Sequence, residues 1–165
     1  MQVLRFATRD DVAAISALIH ELAAYEKLAH LAQATPELLE PQLFGPRPAC
    51  ECLVGEVDGR VVAFGLFFHN FSTFLCRPGL YLEDLYVQPA MRGHGLGKAM
   101  LQELARIAVE RGCGRFEWAV LDWNVDAQDF YHRMGATMMP DWRLCRVTGE
   151  AMHELAAAAR QAPCR

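Results

Sequence analysis

The sequence predicts a single α/β domain spanning residues 1–165 and built around a mixed sheet. Three observations carry that expectation. Apolar residues switch repeatedly between strand-like runs and helical spacing along the chain. Asp58-Gly59 sits between two apolar runs, a strong two-residue hairpin signal. The glycine alternation Gly93-His94-Gly95-Leu96-Gly97 links a strand-like run to a helix-like one.

Taken in order, VLRFAT reads as a short strand, after which Thr8 offers an N-cap with Asp10 and Asp11 in the first turn. Val12, Ile15, Ile19 and Leu22 give a helix to about Tyr25. Thr35-Pro36-Glu37 opens a second helix, which PQLFGPRP closes. ECLVGEV and RVVAFGLFF form the hairpin, and Arg77-Pro78-Gly79 marks a turn before the strand LYLEDLYV. After the glycine loop, Leu101, Leu104, Ala105, Ala108 and Val109 mark one helix face, which Gly112 and Gly114 end. RFEWAVL reads as a buried strand, followed by a helix from Val125 to Met134 that Gly135 stops. ATMM and WRLCRV are expected as short strands, and Glu150–Arg160 as a terminal helix. The full order is β-α-α-β-β-β-α-β-α-β-β with a C-terminal helix.

Composition narrows the function. At 53% apolar and 22% charged residues the chain has globular composition. A net charge of −4 disfavours nonspecific nucleic-acid binding. The start, MQVLRFATRDDV, lacks a signal-peptide apolar run and no segment reaches membrane-span length, so a cytoplasmic protein without membrane association is expected. Six cysteines, at Cys50, Cys52, Cys76, Cys113, Cys145 and Cys164, show no C-x-x-C pair, and H-E-x-x-H is absent. Reduced thiols and no metal are expected.

The loop Arg92–Lys98 carries the chemistry. Alternating glycines let a backbone approach a ligand closely, and a helix start presents unpaired N–H groups at its positive end. The combination is an anion site suited to phosphate or pyrophosphate. It is not the dinucleotide fingerprint, because the glycines read G-x-G-x-G. Nor is it the nucleotide-triphosphate loop, since Arg92 and Ala99 stand where that motif needs Gly and Ser or Thr.

Arg92-Gly93-His94-Gly95-Leu96-Gly97 preceded by LYLEDLYV, then Asn124, Phe130-Tyr131 and Gly135-Ala136, resembles the GNAT superfamily of acyl-CoA N-acyltransferases. Ala24-Tyr25-Glu26, Leu80-Tyr81-Leu82-Glu83-Asp84, Trp123-Asn124 and Trp142-Arg143-Leu144 are similar to the spermidine/spermine (diamine) and thialysine acetyltransferases within it. The chain departs from the diamine enzymes between Gly135 and Trp142, where MMPDW supplies a single acid, Asp141. The resemblance implies a mostly antiparallel sheet flanked by helices, a homodimer, and acetyl transfer from acetyl-CoA to a small cationic amine in a ternary complex.

It also implies roles. Leu85, Tyr86 and Val87 would run along the pantetheine arm, with a main-chain N–H near the thioester oxygen. Arg92, Gly93, His94, Gly95, Leu96, Gly97 and Lys98 would hold the pyrophosphate, and Asn124 would also contact the cofactor. Tyr131 would protonate the leaving thiolate, although Ala127, Phe130, Tyr131 and Met134 are also spaced like a packed helix face. Glu83 would receive the amine proton. Tyr25, Glu26, Glu83, Asp84 and Asp141 would line the acceptor site. Glu83 and Asp84 point to opposite faces of a regular strand unless a bulge redirects them. A protein or amino-acid acetyltransferase on the same fold and a silent CoA-binding sensor are the competing readings.

Overall fold

The structure is a computed structural model describing residues 1–159. It runs β1 (Gln2–Phe6), α1 (Val12–Tyr25), α2 (Pro36–Phe44), β2 (Glu51–Val57), β3 (Arg60–Ser72), β4 (Arg77–Val87), α3 (Leu96–Glu110), β5 (Phe116–Trp118), α4 (Val125–Arg133) and α5 (Gly149–Ala159). The contacts divide the chain into two compact units, Met1–Val125 and the part from Asp126 onward.

In the first unit a five-stranded sheet follows sequence order, β1-β2-β3-β4-β5. The first three pairings are antiparallel and the last is parallel. Asp58 and Gly59, at φ +49° and +78°, make the expected β2–β3 hairpin turn. One sheet face packs Cys52, Val54, Phe64 and Tyr86 against Val12, Ile15, Leu18 and Leu22 of α1 and Leu39 and Leu43 of α2. The other face carries α3, whose Leu96, Met100 and Leu104 are 2%, 0% and 0% exposed. Glycines admit them: a Cβ on Gly55 would stand 3.1 Å from Leu96, and one on Gly65 3.3 Å from Leu104.

Local chemistry explains the helix ends. The Thr8 main-chain N–H and hydroxyl both donate to Asp11 Oδ2, at 2.7 and 2.9 Å, closing a 3₁₀ turn that leads into α1. Asp11 also takes two bonds from Arg5, at 2.7 and 2.9 Å. That pairing holds its carboxyl down at about 2. At the far end Lys27 enters the left-handed region (φ +62°) and Leu28 N–H bonds the Ala23 carbonyl at 2.8 Å, a Schellman stop.

Several expectations are corrected. α2 continues through Pro41 to Phe44, so PQLF is helix and the closing segment starts at Gly45. Arg77-Pro78-Gly79 lies in β4, and the turn is made by the residues before it. Gly79 serves close approach instead, since a Cβ there would stand 2.2 Å from Asn70 Oδ1. Val109 is 77% exposed, and Ile107 takes its place in the α3 face. β5 is only three half-buried residues. The helix expected from about Val125 to Met134 forms as α4, Val125–Arg133, with Gly135 just beyond it at φ +92°.

No strand forms over ATMM or WRLCRV among the described residues. Residues 137–147 are exposed and include a turn at Pro140-Asp141. Their main-chain groups join no ladder in that unit, and an apolar pattern alone does not make a strand. The terminal helix is Gly149–Ala159; Arg160 and Cys164 lie outside the described residues.

Candidate active site

The site is built where β4 parts from its parallel neighbour. β5 pairs with β4 only at Leu80, Leu82 and the Tyr81 between them, while β4 continues to Val87. Gln88 N–H donates to Val62 of β3 at 3.0 Å. By alternation the N–H groups of Tyr86 and Asp84 face β3, and those of Leu85 and Val87 face the open edge. Leu85 therefore offers a main-chain donor to whatever lies along that edge, while the Val87 carbonyl there accepts from Arg92 Nε at 2.9 Å.

A register shift between Leu66 and Phe67 leaves Glu83 as the extra residue of β4, because Phe67 pairs with Leu82 and Leu66 with Asp84. The bulge re-aims the residues after it. Asp84 shares a sheet face with Leu66, and Tyr86 shares it with Phe64, so both lie on the side covered by α1. Glu83 is exposed and Asp84 half-buried. Burial first, then the charges of Glu83 and Glu26, push the Asp84 carboxyl up to about 6. Burial also raises Glu26 from its ordinary value. Asp84 thus feels both other acids, Glu26 at the end of α1 and Glu83 at the bulge of β4.

Tyr25, also at the α1 end, donates to Asn124 Oδ1 at 3.4 Å and lies 6.0 Å from the Trp123 ring. Lys27 Nζ sits 5.3 Å over Trp123. Asn124, which the resemblance assigns to the cofactor, is thereby tied to Tyr25, which it assigns to the acceptor site.

The glycine loop has the form the sequence predicts. Gly93 and Gly95 adopt φ +79° and +83°, left-handed conformations that suit glycine. His94 Nδ1 bonds the Arg92 carbonyl at 2.8 Å, and Ala99 N–H donates to the Gly95 carbonyl at 2.9 Å. The donors before Ala99, those of Leu96, Gly97 and Lys98, are the orphans of a helix start. A Cβ on Gly97 would meet only Val87 Cγ2, at an ordinary 3.6 Å, so the surrounding protein does not demand glycine there. Glycine there leaves the helix start open to close approach, and a pyrophosphate would fit this donor set.

Two predicted residues lie in the second unit. Tyr131 is half-buried on α4 with Ala127 and Phe130, as is Met134 just beyond the helix, and its ring is 5.3 Å from Phe130. Asp141 is exposed in the Pro140-Asp141 turn. The described residues hold no cluster of His, Cys, Asp or Glu able to bind a metal. Glu21 was not anticipated: it accepts from Tyr86 Oη at 3.2 Å and from Gln88 Nε2 at 2.9 Å. Its signal was its place one helical turn before Tyr25 on the same face of α1.

A sheet opened at one strand end beside a glycine-lined helix start defines an acyltransferase of the GNAT type. Residues 16–136 match the acetyltransferase (GNAT) family, and the chain belongs to that family, whose acyl donor is acetyl-CoA. It is an N-acetyltransferase. It is 39% identical to the thialysine N-epsilon-acetyltransferase of Bos taurus, over 93% of this chain and 96% of that protein. It is 34% identical to the L-ornithine N5-acetyltransferase of Arabidopsis thaliana, over 92% of this chain and 86% of that one. Among solved structures, an integron cassette protein from the mobile metagenome of V. cholerae superposes with a TM-score of 0.80 at 23% identity, over 94% of this chain and 97% of that one. That likeness concerns the fold.

Proposed function

We propose that the protein transfers the acetyl group of acetyl-CoA to a primary amine of a small cationic acceptor, a polyamine, diamine or lysine-like amine, directly within a ternary complex. The observation that carries this reading is the cluster of Glu26, Glu83 and Asp84 beside the open edge of β4. Three carboxylates held together favour a dication, which can neutralise one acid while another takes a proton. The relatives support the lysine-like arm, because ornithine and thialysine each carry a second amine.

In this reading the main-chain donors of Gly93, Gly95, Gly97 and Lys98 hold the pyrophosphate, with Arg92, His94 and Leu96 completing the loop. Leu85, Tyr86 and Val87 run along the pantetheine arm, and Leu85 N–H polarises the thioester carbonyl. The resemblance assigns the amine proton to Glu83. The raised Asp84 is coupled to it, so the pair receives the proton together. Tyr25 and Asn124 line the acceptor side, Asp141 adds a further acid, and Tyr131 protonates the leaving thiolate. A base near 6 and a phenol whose ordinary value is near 10 suit those opposite tasks at neutral pH.

The same proposal treats the two compact units as one domain over residues 1–165; the family match runs across their boundary. It includes the cytoplasmic setting and the homodimer that sequence and resemblance suggest. Among the described residues no helix is long and apolar enough to cross a membrane.

The test is a pair of substitutions. Glu83→Gln is expected to raise KM for the cation and lower kcat. Asp84→Asn is expected to lower kcat and to remove an acidic limb near pH 6 from the rate profile. Because the folded-state value of Asp84 is raised, its contribution to stability is present below its unfolded value of about 4 and lost as pH rises through about 6. Asp84→Asn should therefore melt higher than the parent at pH 7, with the gap closing toward pH 4. Parent kinetics and an unchanged melting difference across that range would remove Asp84 from the proposal.

A further inference from the structure

We infer that Arg92 is a positioning residue that couples the acetyl-CoA loop to the acceptor side of the site, through Tyr25. The inference rests on the reading that Tyr25 and Glu26 line the acceptor site. By sequence Arg92 belongs to the phosphate loop, yet its side chain turns back into the protein. Its Nε donates to the Val87 carbonyl at 2.9 Å, on the open edge of β4. Its guanidinium lies 4.9 Å from the centre of the Tyr25 ring and 5.5 Å from that of Tyr86. A cation held over two aromatic faces is attracted by both.

Each ring is anchored in turn. Tyr86 donates to Glu21 of α1 at 3.2 Å, and Gln88 grips the other oxygen of the same carboxylate at 2.9 Å. Tyr25 meets Trp123 at 6.0 Å and Asn124 at 3.4 Å. The guanidinium is thus the joint between the residue preceding Gly93 and the last residue of α1, next to Glu26. Its Nε and its face are engaged in the protein, its main-chain N–H donates to the Pro89 carbonyl at 3.2 Å and its own carbonyl meets His94 Nδ1 at 2.8 Å. Arg92 therefore acts on the pyrophosphate by setting the backbone that leads into Gly93. A loop ordered by acetyl-CoA fixes the Arg92 backbone, the guanidinium fixes Tyr25, and the amine meets a formed acceptor wall. Acetyl-CoA then improves amine binding, and the amine improves acetyl-CoA binding by the same factor.

Amide hydrogen exchange with saturating acetyl-CoA tests this without turnover. In the parent, acetyl-CoA is expected to slow exchange at 93–98 and also at 23–28. In Arg92→Leu the protection at 93–98 should remain while that at 23–28 is lost. Arg92→Lys, which keeps a cation over the rings, should retain both. With the amine that the parent turns over fastest, Arg92→Leu and Tyr25→Leu should each raise the amine KM about tenfold while acetyl-CoA Kd stays within about threefold, and the double variant should be no worse than either single one. Undiminished protection at 23–28 in Arg92→Leu would overturn the coupling. Loss of protection at 93–98 would overturn it too, by making Arg92 a direct cofactor ligand. If the parent acetylates no amine, the acceptor reading fails on its own, and the exchange data still decide the coupling.

Discussion

Gly95→Val is expected to weaken acetyl-CoA binding by about 100-fold or more, the loss of one or two hydrogen bonds to a charged group, while leaving the sheet intact. Gly95 sits at φ +83° with no atom beyond its own chain neighbours within 4 Å of the position a Cβ would take, so a side chain there meets backbone strain while its Cβ meets no packing neighbour. In the proposed site a branched side chain there would crowd the donors at the start of α3 that are assigned to the pyrophosphate. Gly59→Val supplies the control: Gly59 is also left-handed (φ +78°) and open, but lies at a hairpin tip. It should show comparable strain in its melting temperature and parental affinity by calorimetry. Parental affinity in a folded Gly95→Val protein would move the cofactor elsewhere.

Tyr131→Phe is expected to lower turnover by ~10²–10⁴, the usual contribution of a general acid, with little change in melting temperature. Phenylalanine keeps the ring that stacks near Phe130 and occupies the half-buried stripe of α4, so packing is preserved and only the hydroxyl is lost. If Tyr131 protonates the thiolate, a donor with a better leaving group should lose less than acetyl-CoA does. Turnover within about a factor of two of the parent would make Tyr131 a packing residue.

What could be read from the sequence were the features whose causes are local. The Asp58-Gly59 hairpin, the Thr35 cap before Pro36 and the glycine loop before α3 each arise from a few adjacent residues. Features set by pairing were not readable. The bulge at Glu83 depends on how β3 and β4 register, and it alone puts Asp84 beside Glu26 rather than across the sheet. Pro78-Gly79 looks like a turn by chemistry, but the glycine makes room for Asn70 and the segment is strand. WRLCRV shows the converse, an apolar pattern without a ladder to join. The Arg92 stack brings together residues from three elements, and no spacing in the chain announces it.

The central claim, acetylation of a small cationic amine, is tested most directly by free thiol released from acetyl-CoA across an amine panel. The panel should hold polyamines, diamines, ornithine, lysine and thialysine alongside neutral, aromatic and anionic amines. The predicted result is the highest kcat/KM among acceptors carrying a second positive charge, rising from neutral to mildly alkaline pH as the free amine becomes available. Faster release with neutral or anionic acceptors than with every di- or polyamine and lysine-like amine would contradict it, and acetyl-CoA binding with no thiol released from any acceptor would leave a silent sensor.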